Sequence, residues 1–235
     1  MKTFALSRTG LGKRKNEDRH LIKEISNGTW LFAVADGMGG EAAGEYAAQI
    51  SVEKMADIPC NRVLDERKLS LFVKSVDRAV LNEANKHQTL QGMGSTLTCA
   101  LLQGGILYWS HVGDSRLYVL RKGELRQITK DQNMAQFLFE EGEITEEEVN
   151  VHPSRNQVDQ NVGCGGCIPV RGRLGIDPGD MILLTTDGLH SELTFQKLYS
   201  ILISAGGIAS KGRSLIKTAA DSGARDDMTL VIAEF

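Results

Sequence analysis

Apolar residues recur along this chain with two periods, and the change from one to the other divides it into elements. Alternating or continuous apolar runs, the pattern of strands covered on one face or both, predict strands at Thr3–Leu6, Leu21–Ile25, Trp30–Ala35, Ser95–Leu102, Ile106–Val112, Leu117–Leu120, Leu125–Ile128, Met181–Thr185 and Met228–Ala233. Between the third and fourth runs the spacing turns helical. Ala47, Ile50 and Met55 share a stripe of Glu41–Met55, and Leu69, Phe72, Val76, Val80 and Ala84 share a stripe of Lys68–Lys86. Two helices in succession suggest an antiparallel pair. From Ser95 to Ile128 the strands are parted only by QGG, GDS and RKGE, gaps that fit an antiparallel meander and leave no room for crossover helices. No repeat or low-complexity linker interrupts the pattern, and 235 residues suit one large domain over 1–235.

Composition narrows the partners. Lys and Arg number 27 against 30 Asp and Glu, a formal net charge of -3. With no basic cluster, neither nucleic acid nor an anionic membrane is an expected partner. No run of about 18 apolar residues is present to span a bilayer, and the first thirty residues carry charges where a signal peptide needs an apolar core. A cytoplasmic monomer is expected. The four cysteines are too few for a disulfide scaffold and suit a reducing compartment. Cys60 and Cys99 are expected to be packing or surface residues. Cys164 and Cys167 form a CGGC pair, which could clip a metal or cycle through a disulfide. A zinc site would need two further ligands at matching spacing, so an incidental loop pair is the expectation.

The chemistry is concentrated at strand ends. LFAVADGMGG, Leu31 to Gly40, closes an apolar run with an acid and a glycine-rich turn, and Gly37, Gly39 and Ala42 meet the permissive G-x-G-x-x-A spacing of a dinucleotide cradle. Such a fold needs a second parallel strand ending in an acid about twenty residues on. That window holds helix and then MADIPCNR, which with the meander argues against it. Instead the motif has echoes: ILLTTDGL ends a strand in Asp187-Gly188, HVGDSR sets Asp114 between two strands, and ARDDMT sets Asp226 and Asp227 before the last. One Asp-Gly step is ordinarily a solvated turn. Clustered at the ends of apolar strands, however, Asp36, Asp114, Asp187 and Asp226 would be costly without a neutralising cation, and oxygen-only ligands select magnesium or manganese. Ions sharing an aspartate would share a water, whose lowered pKa yields an attacking hydroxide. A phosphoryl group is the natural electrophile. Gly37 would let the backbone approach an ion and offer its carbonyl.

These residues resemble the metal-dependent Ser/Thr protein phosphatases of the protein phosphatase 2C type (PPM), in their compact bacterial form. Six ordered blocks carry the resemblance nearly end to end: NED at Asn16–Asp18, DGMGG at Asp36–Gly40 followed by AAGEYAA, GMGST at Gly92–Thr96, HVGDSRLY at His111–Tyr118, LLTTDGL at Leu183–Leu189 and DDMT at Asp226–Thr229. It implies an α+β fold, a four-layer α-β-β-α sandwich with two central, mostly antiparallel sheets flanked by helix pairs.

By position, the resemblance implies that Asp36 bridges two Mg2+ or Mn2+ ions, that the Gly37 carbonyl serves the second, and that Asp187 and Asp226 complete the first. Asp114, with Asp187, resembles the holder of a weaker third ion. Glu17 and Asp18 would orient metal-bound water, and residues 131–163 would form a flap beside the cleft.

Two positions depart from the family pattern. Lys13, with Arg14 beside it, stands where the family's phosphate-gripping arginine is usual, and Asp227 stands where asparagine is usual. No histidine maps to a general-acid role, and all five are expected to be structural. The implied activity is hydrolysis of phosphoserine and phosphothreonine in proteins that a Ser/Thr kinase has modified, a signalling role. The alternatives are a silent phosphoprotein-binding member and a small-molecule phosphomonoesterase.

Overall fold

The computed structural model describes residues 1–59, 64–149 and 151–235; Cys60 lies outside them. The extended runs pair into two antiparallel sheets. One has the order β1 (Lys2–Arg8), β11 (Met228–Glu234), β10 (Met181–Thr185), β7 (Arg116–Arg121) and β8 (Glu124–Gln127). The other has the order β2 (Asp18–Ser26), β3 (Thr29–Met38), β5 (Leu97–Gln103), β6 (Ile106–Val112) and β9 (Val170–Gly175), and the short β4 (Gly94–Ser95) extends the pairing of β3.

The sheets pack face to face through Phe32, Val34 and Ala100 on one side and Leu117, Ile182 and Val231 on the other. Their outer faces are also covered. Helices α1 (Glu41–Ala56) and α2 (Glu66–Ala84) lie on the β3 sheet, where Met55, Leu69 and Val76 join Leu31, Ala33 and Leu101. Helices α6 (Phe195–Ile203) and α7 (Ile208–Asp221) lie on the β10 sheet, where Leu198, Leu215 and Ile216 join Leu183 and Leu230. The result is the α-β-β-α sandwich. Because both faces of β3 are buried, Leu31 to Ala35 are fully buried in succession, and the strand reads as continuous rather than alternating. A fully buried Leu or Phe contributes roughly 1.5–3 kcal/mol, so the central strands hold the layers together.

Some elements differ from the apolar pattern. The run Ser95–Leu102 is split at Thr96 into β4 and β5. The edge strand β9 and the helices α3 (Met134–Glu140), α4 (Glu146–Val149), α5 (Asp187–His190), α6 and α7 are additions to it. The CGGC loop is clamped from below. The buried Asp77 of α2 accepts hydrogen bonds from the backbone N–H groups of Gly163 at 2.7 Å, Gly165 at 2.9 Å and Cys167 at 3.4 Å. Cys164 is exposed, Cys167 is buried and neither is disulfide-bonded; Cys99 is buried too.

Candidate active site

Strand register brings the motif acids to one edge of the sandwich. Asp18 pairs directly with Asp36 across β2 and β3. In the facing sheet, Thr185 at the end of β10 lies opposite both Leu230 of β11 and Arg116 of β7. The residues just beyond those ends, Asp187, the Asp226-Asp227 pair and Asp114, therefore gather beside Asp36. Asp18, Asp187, Asp226 and Asp114 all bear on the Asp36 carboxyl. Asp36 and Asp187 are within hydrogen-bonding reach of each other.

Gly37 is required by packing. A Cβ there would lie 2.1 Å from the Gly44 carbonyl oxygen, and one at Gly44 would lie 2.4 Å from Glu17 Oε1. The two glycines let the end of β3 rest directly on α1, with the Gly37 N–H donating to the Glu17 carbonyl at 3.3 Å.

Hydroxyl groups that the sequence reading passed over fix the acids from behind. The Asp36 N–H donates to Thr96 Oγ1 at 2.9 Å, and its carbonyl accepts from Ser95 Oγ at 2.9 Å and from the Thr96 N–H at 2.8 Å. Thr96 Oγ1 also meets Ser115 Oγ at 2.8 Å. Thr186 Oγ1 donates to Asp18 Oδ2 at 2.7 Å and accepts from the Thr229 N–H at 3.0 Å. The one available signal was membership of the quoted blocks: Ser95 and Thr96 close GMGST, Ser115 follows Asp114 and Thr186 precedes Asp187.

The electrostatics of the edge call for cations. Burial first, and then the neighbouring carboxylates, hold the Asp18, Asp36, Asp114 and Asp187 carboxyls above the usual carboxylate range. Asp18 Oδ1 and Asp187 Oδ1 are buried with no hydrogen-bond partner. Orphaned acceptors among like charges, all of them oxygen, fit hard divalent ions. Among the described residues no three His, Cys, Asp or Glu side chains already form a metal-holding group.

Lys13 enters this edge from the β1–β2 connection. Its ammonium pairs with Asp226, with Asp227 Oδ2 at 3.1 Å and with Glu17 Oε2 at 3.3 Å. Burial opposes its charge, but the hydrogen bonds and charges of Asp226 and Asp227 prevail and hold its pKa above the ordinary lysine range. Asp227 is buried and also accepts from the Gly10 N–H at 2.9 Å and the Glu17 N–H at 2.8 Å. Arg14 is exposed and has no ion pair among the described residues.

Beside the acids, Arg116 makes a two-pronged pair with Asp131, Nε to Oδ1 at 2.9 Å and Nη2 to Oδ2 at 2.7 Å. The pair ties the start of the 131–163 segment to β7. Between that segment and the start of α6 lies a cavity of about 820 Å³ that reaches Asp114 and Asp187 and is walled by Phe139 and Phe195. His111 and His190 are buried and held neutral, their pKa values lowered mainly by burial. His111 Nδ1 meets Thr98 Oγ1 at 2.8 Å and its Nε2 meets the Lys130 carbonyl at 3.0 Å, while His190 Nδ1 meets Thr185 Oγ1 at 2.9 Å.

Two antiparallel sheets between helix pairs, with an acid-lined edge suited to hard cations, define a class of α+β metal-site proteins. Within it the assignment is specific: the family model described as protein phosphatase 2C matches residues 12–229, and the chain belongs to the protein phosphatase 2C family. It is 36% identical over 234 residues to the serine/threonine protein phosphatase PstP of Mycobacterium tuberculosis, covering 98% of this chain and 44% of that protein. The chain thus spans less than half the length of PstP. It is 26% identical to the protein phosphatase PhpP of Streptococcus pneumoniae, with 95% of this chain and 94% of that protein covered. Among solved structures, the PstP catalytic domain in complex with two manganese ions superposes with a TM-score of 0.87 at 34% identity, over 99% of this chain and 97% of that one. Stp1 of Staphylococcus aureus superposes with a TM-score of 0.93 at 28% identity, over 100% and 94%.

Proposed function

We propose that this chain hydrolyses phosphoserine and phosphothreonine esters in proteins, using Mg2+ or Mn2+. One observation carries the reading: Asp18, Asp36, Asp114, Asp187 and Asp226 arrive from five segments at one edge, with buried carboxylate oxygens left unpartnered. Asp36, the Gly37 carbonyl, Asp187 and Asp226 would hold two ions, and Asp114 with Asp187 a weaker third. When bound, the ions lower the pKa of a shared water toward neutrality and neutralise phosphoryl oxygens.

The chain's own residues then have separate tasks. Glu17 and Asp18, anchored at the start of β2, orient water, with Asp18 aimed by the Thr186 hydroxyl. Lys13 offsets the acids that face it. The Arg116–Asp131 pair sets the base of the 131–163 segment, which closes one side of the cleft as a flap. Phosphorylated proteins modified by a Ser/Thr kinase are the substrates, in a cytoplasmic signalling role. No helix among the described residues is long and apolar enough to cross a membrane.

The test compares a phosphothreonine peptide, a phosphotyrosine peptide and a nucleotide monophosphate in manganese, with Asp36→Asn beside the native chain. The expected result is selective, manganese-dependent release of phosphate from phosphothreonine, reduced by about 100-fold or more in Asp36→Asn, since removing one charged partner at such a site costs several kcal/mol. Near-native turnover by Asp36→Asn refutes the metal assignment, and preference for the nucleotide refutes the substrate class.

A further inference from the structure

We propose that Arg225 and Arg155 together grip the substrate's phosphate from two sides of a small cavity over Asp187 and Asp226, an inference that rests on phosphoester hydrolysis at this edge. The cavity, about 330 Å³, is lined by both arginines together with Asp187, Glu192 and Asp226. Three carboxylates line it, so a phosphate dianion entering it meets repulsion that bound ions only partly offset. Fixed cations in the same walls are the remedy, and two guanidinium groups are there.

Arg14 is unpaired among the described residues but does not line this cavity, and three other cations near this edge are already engaged. Lys13 faces Glu17, Asp226 and Asp227; Arg116 is held by Asp131; Arg19 is held by Glu45. Among the described residues Arg225 and Arg155 have no carboxylate partner, and Arg155 reaches only the His152 carbonyl, at 3.5 Å. Both side chains are exposed.

Their mounting differs in a useful way. Arg225 stands on rigid backbone: the adjacent Ala224 is buried and its carbonyl accepts from the Leu11 N–H at 2.9 Å, and Gly10 packs so closely that a Cβ there would lie 2.2 Å from the Arg225 carbonyl oxygen. Arg155 belongs to the 131–163 segment and lines both this cavity and the larger one. It therefore marks where phosphate in the small cavity would meet polypeptide in the large one. A guanidinium presents parallel N–H groups to two phosphate oxygens, which an ammonium cannot do. One rigid fork and one carried by the segment favour a doubly charged phosphomonoester over a singly charged diester.

The test uses the whole chain loaded with magnesium. Arg225→Ala, Arg155→Ala, Arg225→Lys and Lys13→Met are compared by steady-state kinetics on a phosphothreonine peptide and by calorimetric titration of inorganic phosphate and of magnesium. Each arginine-to-alanine change is expected to raise KM and to weaken phosphate binding by about 10- to 100-fold, with kcat changed by less than about threefold and magnesium affinity unchanged. Arg225→Lys should recover part of the loss. Native phosphate affinity in both alanine variants overturns the proposal, as does a loss confined to Lys13→Met or a fall in magnesium affinity that accompanies the loss in Arg225→Ala. A native chain that hydrolyses nothing refutes the phosphatase reading separately, and the phosphate titration still decides the arginines.

Discussion

Asp227→Asn tests whether the two departures from the family pattern form one unit. The Asp227 carboxylate divides its oxygens: Oδ1 accepts from the Gly10 N–H at 2.9 Å, and Oδ2 accepts from the Glu17 N–H at 2.8 Å and Lys13 Nζ at 3.1 Å. A carboxamide keeps one of those oxygens. Whichever way it turns, one backbone N–H then faces an NH2 group and goes unpartnered, at a cost of about 1–3 kcal/mol. The lost ion pair adds less than about 1 kcal/mol, because Lys13 is 26% exposed and retains Asp226 and Glu17. The expected loss of stability is about 2–3 kcal/mol. Lys13→Met should cost about 1–2 kcal/mol by leaving three acids without their cation. If the residues act together, the double variant loses about 1 kcal/mol less than the sum, since neutralising Asp227 relieves the repulsion that removing Lys13 creates. Urea denaturation of the four chains with metals chelated supplies the cycle. Additivity within about 0.3–0.5 kcal/mol, or an Asp227→Asn chain as stable as the native one, refutes the pairing.

Asp77→Ala should destabilise the chain by about 3 kcal/mol, because three N–H groups of the 163–167 loop lose their acceptor, whereas Asp77→Asn, which keeps an oxygen toward Gly163 and Gly165, should cost less than half of that; urea melts and alkylation of Cys167 followed by mass spectrometry would show it, and an unchanged Cys167 reactivity in Asp77→Ala refutes the clamp. For His111, burial lowers the pKa from 6.5 to about 4, so the unfolded chain takes up a proton that the folded chain refuses. Stability from this group is full above pH 6.5 and is lost as pH falls toward 4, up to about 3 kcal/mol. His111→Gln should flatten the acid limb of stability against pH by as much as one proton, and an unchanged slope refutes the neutral, buried assignment.

The elements missing from the apolar pattern are missing for a physical reason. In β9, Gly172 lies under the Trp109 ring, where a Cβ would come within 2.6 Å of the indole, and in α7, Gly212 lies against Phe4, where a Cβ would come within 2.6 Å of that ring. At both places an aromatic ring from another strand packs on bare backbone, and the glycine that permits it weakens the local signal by which the element would be recognised. β9 is also an edge strand in which Val170, Arg171 and Arg173 are exposed and only Gly172 and Leu174 are half-buried, so its alternation is short and one of its two inward positions carries no side chain. By contrast β3, β6 and β10 are interior strands with nearly every residue buried, and their continuous apolar runs announce them.

Asp36, Asp114 and Asp187 were legible because each stands at a strand boundary in an Asp-Gly or Asp-Ser step, and Asp226 because it comes just before the last apolar run, breaks in the pattern that a reader can see. Their supports were not. Thr186 shows why: its single hydroxyl donates to Asp18 and accepts from the Thr229 N–H, joining the start of β2, the end of β10 and the start of β11, segments far apart in the sequence. A hydroxyl can give and take at one atom, whereas a carboxylate can only accept and an ammonium can only donate. Nothing in a linear pattern distinguishes such a threonine from the many that merely suit a strand. The requirement arises only when the two sheets are stacked in register, and it binds the aim of Asp18 to the packing of the sandwich: any shift between β10 and β11 that lengthens the Thr229–Thr186 contact also turns the hydroxyl that holds Asp18, so the geometry of the acid edge is set by the core behind it.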